Sequence, residues 1–256
     1  MTTDFSGGGD PQRTIELLWG FREGSRPGPK PRFTVDGIAS AAIAIADADG
    51  LAALSMRRVA ERVGVSAMSL YTYVPGKAEL IDLMLDRVFA EADKSDDPGS
   101  DWRARLERVA RENFGLYRRH PWLLQVATSR PPLGPNLIAK YDFELRAVDG
   151  IGLTDVEMDQ VVQLIGDYVH GAARSAVAAT QVAQRTGRTD EQWWERAAPA
   201  LEKVYDPGSY PTASRVGAAA GAEYNAAGDP ARAFEFGLAR LLDGVAALVA
   251  AGTKNG

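Results

Sequence analysis

The stretch SMRRVAERVGVSAMSLYTYV at residues 55–74 decides the fold of the N-terminal part of this chain. Its first half has a helical period, with apolar residues at i, i+3, i+4 and i+7: Met56, Val59, Ala60 and Val63. Ser55 is placed to accept a hydrogen bond from a free amide of the first turn, and Gly64 can take the left-handed conformation that ends a helix. The pattern predicts a short helix that stops at a one-glycine break.

A second short helix is predicted directly after this break. Ser66 is a suitable N-cap for it, and Leu70 and Val74 would face inward. The other positions carry small, polar or aromatic residues spread over the remaining surface: Ala67, Met68, Ser69, Tyr71, Thr72 and Tyr73. A stable core does not need hydroxyl groups and tyrosines there, so we expect this surface to dock onto a partner.

The composition is that of an ordinary globular protein and excludes several classes of protein. The chain has 256 residues, of which 45% are hydrophobic and 25% are charged. It contains no run of about 18 apolar residues that would span a membrane, and its N-terminus lacks the apolar core of a secretion signal. With no cysteine, disulfides, thiolate metal sites and a cysteine nucleophile are excluded. We expect a cytoplasmic protein.

The charge is unevenly distributed along the chain. Residues 21–77 carry eight Lys or Arg and five Asp or Glu, a net charge of +3, in a chain whose net charge is −5. A basic segment on an otherwise acidic chain indicates that this segment alone meets a polyanion. The alternative is a chance fluctuation, because the excess is modest.

Helical patterns separated by Pro-rich and Gly-rich breaks divide the chain into three parts. Residues 1–32 are an N-terminal extension with a short helix in RTIELLWGF and a basic arm, RPGPKPR, and residues 1–12 are expected to be disordered. Residues 33–93 contain the helix pair, and residues 100–252 contain further helices with a loop at 205–229. No segment alternates with period two, so the predicted fold is all-α, with a three-helix N-terminal domain and a larger helical C-terminal domain.

Two short helices joined by a tight turn match the helix-turn-helix, whose second helix enters the major groove of DNA. Short side chains that bond to base edges or touch thymine methyls are needed on its exposed face, and hydroxyl and ammonium donors reach phosphates. Arg57 and Arg58 flank the same groove. The second helix supplies the remaining candidate DNA contacts together with the residue that opens the next helix: Ser66, Ala67, Met68, Ser69, Tyr71, Thr72, Tyr73 and Lys77. The alternative is a helical hairpin with exposed polar residues.

The sequence LSMRRVAERVGVSAMSLYTYVPGKAELIDLMLDRV resembles the DNA-binding domain of the tetracycline-repressor (TetR) family of bacterial transcriptional regulators. The small residue after the Gly-Val turn, the Leu70–Tyr71 pair, Tyr73 and Lys77 fall in the family's places. Downstream, RRHPWLLQVATSRPPLGPN and FEFGLARLLDGVAAL are similar to the family's tetracycline-repressor type of C-terminal domain. The resemblance covers roughly residues 33–250.

This resemblance implies a homodimer that binds a palindrome of double-stranded DNA and releases it when a small molecule fills the C-terminal domain. By position, it implies that Tyr71, Tyr73 and Lys77 lie at the DNA backbone and that five residues lie at base edges: Arg57, Ala67, Met68, Ser69 and Thr72. The apolar stripes of the helices at about 155–182 and 230–250 are expected to form the dimer interface as a four-helix bundle. The alternative is that these stripes belong to the internal core.

The basic arm before the helix-turn-helix departs from the shortest members of the family. Arg26, Lys30 and Arg32 stand among prolines, which would keep the arm extended and suited to an adjacent minor groove. A solvated linker between two helices is the alternative.

An effector site is expected among the aromatic residues of the C-terminal domain, since ligand cavities between helices are commonly lined by such side chains. The candidates are Phe114, Tyr117, Trp122 and Tyr168, and the alternative is that they fill the core. His120 and His170 are the only histidines, and neither aligns with a metal-binding role. No metal and no cofactor are therefore predicted, and His120 is expected at the C-terminal end of a helix.

Two other functions remain as alternatives. An enzyme is disfavoured because the chain has no Gly-rich phosphate loop, no G-x-S-x-G and no H-E-x-x-H. A constitutive DNA-binding protein without an effector would bind DNA regardless of any small molecule. The sequence leaves open the effector, the operator, the regulated genes, and activation rather than repression.

Overall fold

The computed structural model describes residues 4–21, 34–95 and 99–252. Within them the chain is helical almost throughout, which confirms the all-α prediction, and no helix of this part is long and apolar enough to cross a membrane. Two 3-10 helices lie at Leu51–Ala53 and Pro121–Gln125, and two short strands, β1 (Asp4–Phe5) and β2 (Val126–Ala127), pair in parallel. The α-helices are α1 (Pro11–Leu18), α2 (Val35–Asp49), α3 (Met56–Val63), α4 (Ala67–Tyr73), α5 (Lys77–Phe89), α6 (Trp102–Arg119), α7 (Pro135–Arg146), α8 (Asp155–Thr186), α9 (Asp190–Glu202), α10 (Pro211–Tyr224) and α11 (Pro230–Gly252).

The helix pair α3–α4 begins and ends at the predicted residues. The Ser55 hydroxyl accepts a hydrogen bond from the Arg58 amide, and the Ser66 hydroxyl accepts one from the Ser69 amide at 3.1 Å. Between the two helices, Gly64 has φ 79° and lies in the left-handed region, which glycine adopts without steric cost. The local residue types therefore fix the turn that sets the angle between α3 and α4.

A first hydrophobic core joins α2, α3, α4 and α5. The inward residues of the two short helices are fully buried in it, among them Val59, Leu70 and Val74. The same core continues into the C-terminal part of the chain, because Leu116 of α6 and Trp122 of the second 3-10 helix are buried in it. Helices α2–α5 are thereby packed directly against the end of α6.

A second core holds α6, α7, α8 and α11 together. The stripe of α11 that was expected at a dimer interface contributes Leu238, Leu242 and Val245 to this core. Val161 and Ile165 of α8 are buried against them. These parts of the two stripes therefore lie inside the protomer, as the alternative to a dimer interface anticipated.

Helices α9 and α10 contribute no residue to either core, and neither contains a buried residue. Helix α10 lies inside residues 205–229, where the sequence led us to expect a loop, so that prediction was wrong. Pro211 stands at the first turn, where its missing amide is no loss, and the alanine-rich run that follows favours helix. Asn225, with φ 49°, ends the helix.

The N-terminal segment, residues 4–18, is folded, which corrects the expectation of disorder for the described residues up to 12. The Ser6 hydroxyl donates to the Arg130 carbonyl at 2.7 Å, and the Gly7 amide donates to Asp82 Oδ1 at 3.0 Å. Asp10 caps α1 through the Arg13 amide. The segment thus contacts both α5 and the loop after β2, because its polar groups find partners far away in the sequence.

Candidate nucleic-acid interface and effector region

Helix α4 has one buried residue and an outer face that carries the predicted DNA contacts. Leu70 is fully buried, whereas the Met68 side chain is 76% exposed and Tyr71 is 44% exposed. The remaining residues of the set are exposed or half-buried: Ser66, Ala67, Ser69, Thr72 and Tyr73. One side of α4 therefore anchors it in the first core while the other is open to a partner.

The hydroxyl groups of α4 and of its N-cap make local hydrogen bonds at the surface. The Ser66 and Ser69 hydroxyls lie 2.9 Å apart, and the Thr72 hydroxyl donates to the Ser69 carbonyl at 2.6 Å. A hydroxyl both donates and accepts, so each can exchange these local bonds for a base edge. These three hydroxyl groups are held at the surface on short side chains, which would not block entry of the helix into a DNA groove.

The two arginines at the start of α3 have different surroundings. Arg57 pairs with Glu61 one turn later at 2.8 Å, and this bond raises the pKa of its guanidinium further above the ordinary range. Arg58 pairs with Asp49 at the C-terminal end of α2 at 2.5 Å. Arg57 therefore projects into solvent, whereas Arg58 ties α3 to α2.

Lys77 is the first residue of α5. Its ammonium group is 3.1 Å from the Asp4 carboxylate of the N-terminal segment. No local pattern indicates this pair, because the two residues are 73 positions apart in the sequence. A phosphate would compete with Asp4 for the same ammonium group. The arm residues Arg26, Lys30 and Arg32 lie outside the described residues.

Three of the four predicted effector-site residues lie around the second core. The Phe114 ring stacks on Phe234 of α11 with centroids 4.2 Å apart, and the Tyr168 hydroxyl is within 2.7 Å of the Phe234 carbonyl oxygen. Tyr117 contacts His170 edge to face, and burial raises its pKa to about 12, so it stays a neutral hydrogen-bond donor. Phe234, which the sequence analysis did not select, links two of the three.

Tyr117 packs against both cores, whereas Trp122 belongs only to the first. Trp122 is fully buried in the first core, and its indole donates to Asp47 Oδ1 at 2.9 Å. His120 caps the C-terminal end of α6, and its two ring nitrogens lie 2.8 Å from Asp47 and 2.9 Å from Glu91. The structure therefore does not bring the four aromatic candidates into one site.

A cavity of about 500 Å³ lies between the two domains. Its walls are the C-terminal end of α2, the last turn of α6 with the following 3-10 helix, and the C-terminal half of α8. Trp122 borders it, whereas Phe114, Tyr117 and Tyr168 do not. Charged groups line it from three elements: Asp47, Asp49, Arg118, Arg119 and Arg185. In the described ranges, no three or more His, Cys, Asp or Glu side chains are arranged to hold a metal ion.

Known proteins match the whole of this architecture. The family model for bacterial regulatory proteins of the tetR family matches residues 38–84, and the model for the tetracyclin repressor-like C-terminal domain matches residues 95–249. The chain is 48% identical over 250 residues to the HTH-type transcriptional repressor DrrR1 of Streptomyces coeruleorubidus, covering 97% of this chain and 90% of that protein.

Two solved structures share the fold. Apo ActR from Streptomyces coelicolor superposes with a TM-score of 0.69 at 26% identity, over 88% of this chain and 99% of ActR. ActR in complex with actinorhodin gives a TM-score of 0.68 at 27% identity, over 85% and 98% of the two chains. The exposed helix α4, the two family models and the similarity to DrrR1 agree with one another. The chain therefore belongs to the tetR family of bacterial transcriptional regulators.

Proposed function

We propose that this protein is a transcriptional repressor that binds a palindromic operator as a homodimer and releases it when a small molecule binds. The observation that carries the proposal is the division of α4, which buries Leu70 and leaves a face of short polar and aromatic residues exposed. A helix of this kind fits the major groove and presents donors, acceptors and an apolar tip at base edges. The repressor DrrR1, to which the chain is similar, supports repression over activation.

The homodimer is supported by apolar residues that the protomer leaves exposed. Leu164 and Val182 of α8 are exposed, and the helical period places them on one side with three small residues between them: Gly171, Ser175 and Ala178. Small residues allow the backbones of two helices to approach closely. Leu248 of α11 is also exposed and extends the apolar surface near the end of the chain. We infer that the α8 face, rather than the whole predicted stripe, meets its copy in the partner.

A small-molecule effector is supported by the solved structure of ActR in complex with actinorhodin. The second core of the present chain is built from the same kind of C-terminal domain, and it contains the neutral hydroxyl of Tyr117 beside His170. We propose that this domain also accepts a small molecule. The competing proposal, constitutive DNA binding, predicts that no small molecule changes the affinity for DNA.

The proposal is tested by selecting genomic fragments on the immobilised full-length protein and measuring their affinity by fluorescence anisotropy. We expect a palindrome whose half-sites lie about 34–36 Å apart, bound by two protomers. The double variant Ser69→Ala/Thr72→Ala should bind it at least about tenfold more weakly, since each lost base contact costs about 1–3 kcal/mol. Thr128→Ala/Ser129→Ala, which removes exposed hydroxyls of a distant loop, is the matched control. Failure of every fragment to be enriched would contradict the proposal.

A further inference from the structure

We propose that the cavity between the two domains is a binding site for an organic anion with an apolar body. The cavity is defined by the end of α2, the end of α6, the following 3-10 helix and the C-terminal half of α8, and its volume is about 500 Å³. This size lies in the range of sites for small molecules, about 300–1,000 Å³. It is a different place from the aromatic residues around the second core.

The charges that line the cavity favour an anion. Its two carboxylates already have partners, since Asp47 accepts from the Trp122 indole and contacts His120, and Asp49 pairs with Arg58. The guanidinium groups of Arg118 and Arg185 have no ion-pair partner among the described residues. Arg119 has only a long contact, 3.8 Å, with Glu91. The cavity therefore presents uncompensated positive charge, and a carboxylate or phenolate oxygen would pair with it.

The other lining residues suit an apolar body with polar edges. Trp122, Pro121 and Val177 supply the apolar part of the wall. Amide side chains from α8 lie on the opposite part of the rim and can donate hydrogen bonds without adding charge: Gln181 and Gln184. The lining is therefore more polar than apolar, which suits a ligand with several polar groups on a small apolar body.

The proposed dimer interface and the cavity use different sides of α8. Val182 and Leu164 lie on the α8 face that we assign to the partner, whereas the helical period places Val177 and Gln184 on nearly the opposite side. All of the lining residues belong to one protomer, and Arg185 is the one on the side of α8 nearest to the proposed interface.

The position of the cavity connects its occupant with the helix-turn-helix. Asp49 lines the cavity at the end of α2 and at the same time holds Arg58 at the start of α3, at 2.5 Å. An anion held by Arg118 and Arg185 would join α6 to α8 beside this end of α2, where its charge would act on the Asp49–Arg58 pair. Binding would then favour one placement of the DNA-binding domain over another. This coupling rests on the proposed function, whereas the binding site itself does not.

The experiment uses the full-length protein without DNA in isothermal titration calorimetry. The two probes are matched in shape and differ in charge: pyrene-1-carboxylate is an anion, and pyrene-1-carboxamide is neutral. We expect the carboxylate to bind at least about tenfold more tightly, the effect of a charge-assisted hydrogen bond. The variant Arg118→Gln/Arg185→Gln should lose that difference. The control Arg174→Gln/Arg188→Gln removes two exposed arginines outside the cavity and should keep it.

A steric variant separates binding in the cavity from binding elsewhere on the surface. Gln181→Trp should fill the cavity and abolish binding of both probes while leaving the circular dichroism spectrum unchanged. Equal affinity for the two probes, no saturable binding of the carboxylate up to about 1 mM, or full binding by Gln181→Trp would each overturn the site. The coupling is measured afterwards, as the change in operator affinity on adding the carboxylate. No change would overturn the coupling alone, and a chain that binds no DNA would overturn the proposed function while leaving the site intact.

Discussion

The region α2–α5 and the pair α9–α10 differ in how much of their apolar surface is buried within the protomer. In the first, the apolar residues of four helices are buried in one core, and the exposed face of α4 is the part that we propose for DNA contact. In the second, no residue is buried, and large apolar side chains face solvent, including Trp193 at 52% and Val216 at 50% exposure. The difference teaches that α2–α5 are held by a shared core, whereas α9 and α10 leave apolar surface exposed in the protomer.

The largest expected effect tests this difference in burial directly. Leu70→Ala removes a fully buried side chain of α4 from the first core and should lower the free energy of unfolding by about 2–5 kcal/mol. Leu201→Ala removes the same atoms from an exposed position of α9 and should lower it by less than about 0.5 kcal/mol. Both values are measured by urea denaturation. If the two variants lose the same free energy of unfolding, Leu201 of α9 is buried in solution, and the contrast in burial between the two regions is wrong.

The second prediction concerns the α8 face assigned to the partner. Leu164→Glu should convert the dimer to a monomer, because it places a charge in an apolar interface. Operator affinity should then fall at least about a hundredfold, since the second half-site is no longer bound by a linked copy. Sedimentation velocity and fluorescence anisotropy measure the two effects.

Val156→Glu is the matched control for this variant. Val156 is also exposed on α8, but it is close to the N-terminal end and lies on a different side of the helix. It should leave the dimer and the operator affinity unchanged. A dimer that survives Leu164→Glu would place the interface elsewhere, with the exposed residues of α9 and α10 as the next candidates.

The third prediction uses the pH dependence of stability. Burial of Asp82 raises the pKa of its carboxyl to about 6, against an ordinary value of 3.8, although the Gly7 amide bond opposes the shift. Because the folded pKa is the higher one, the protonated form is favoured by folding. The contribution of this group to the free energy of unfolding is present below about pH 4 and is lost as the pH rises through about 6, a difference of about 1–3 kcal/mol.

Asp82→Asn should therefore flatten the fall in stability between pH 4 and 6, measured by urea denaturation at several pH values. Asp86 on the same helix also has its pKa raised by burial, so part of the slope should remain. Asp206→Asn, in the exposed loop before α10, should leave the slope unchanged in this range, because hydrogen bonds from Ser209 and Gly208 lower the pKa of Asp206. An unaltered slope in Asp82→Asn would contradict the assignment.

The parts of the fold that the sequence predicted are those that short-range chemistry determines. Ser55, Gly64 and Ser66 act within three or four residues of themselves, so the caps and the turn of the helix-turn-helix are readable from residue type alone. Burial of Leu70 and Val74 follows from the helical period in the same way. The exposed face of α4, and with it the proposed DNA contacts, is a consequence of these local facts.

The parts that the sequence did not predict depend on residues far apart along the chain. The N-terminal segment is folded because the Gly7 amide donates a hydrogen bond to Asp82, 75 positions away. The residues next to Gly7 and Asp82 in the sequence contain no pattern that predicts this bond. Trp122 was grouped with the other aromatics, but its indole is directed to Asp47, also 75 positions away. The cavity between the domains needs the ends of three helices at one place, and periodicity carries no information about that.

The smallest expected effect concerns the contact between the folded N-terminal segment and the DNA-binding face. Asp4 is the ion-pair partner of Lys77, and both side chains are partly exposed, so the pair contributes at most about 1 kcal/mol to stability. Asp4→Asn should free the ammonium group for a phosphate and tighten operator binding by about two- to threefold, while Lys77→Gln should weaken binding and reduce the salt slope by about one. Asp10→Asn, which changes the same charge at the cap of α1, should alter neither quantity. Anisotropy titrations between about 50 and 200 mM salt measure both. If Asp4→Asn and Asp10→Asn tighten binding equally, the effect is one of overall charge, and the N-terminal segment exerts no specific control over Lys77.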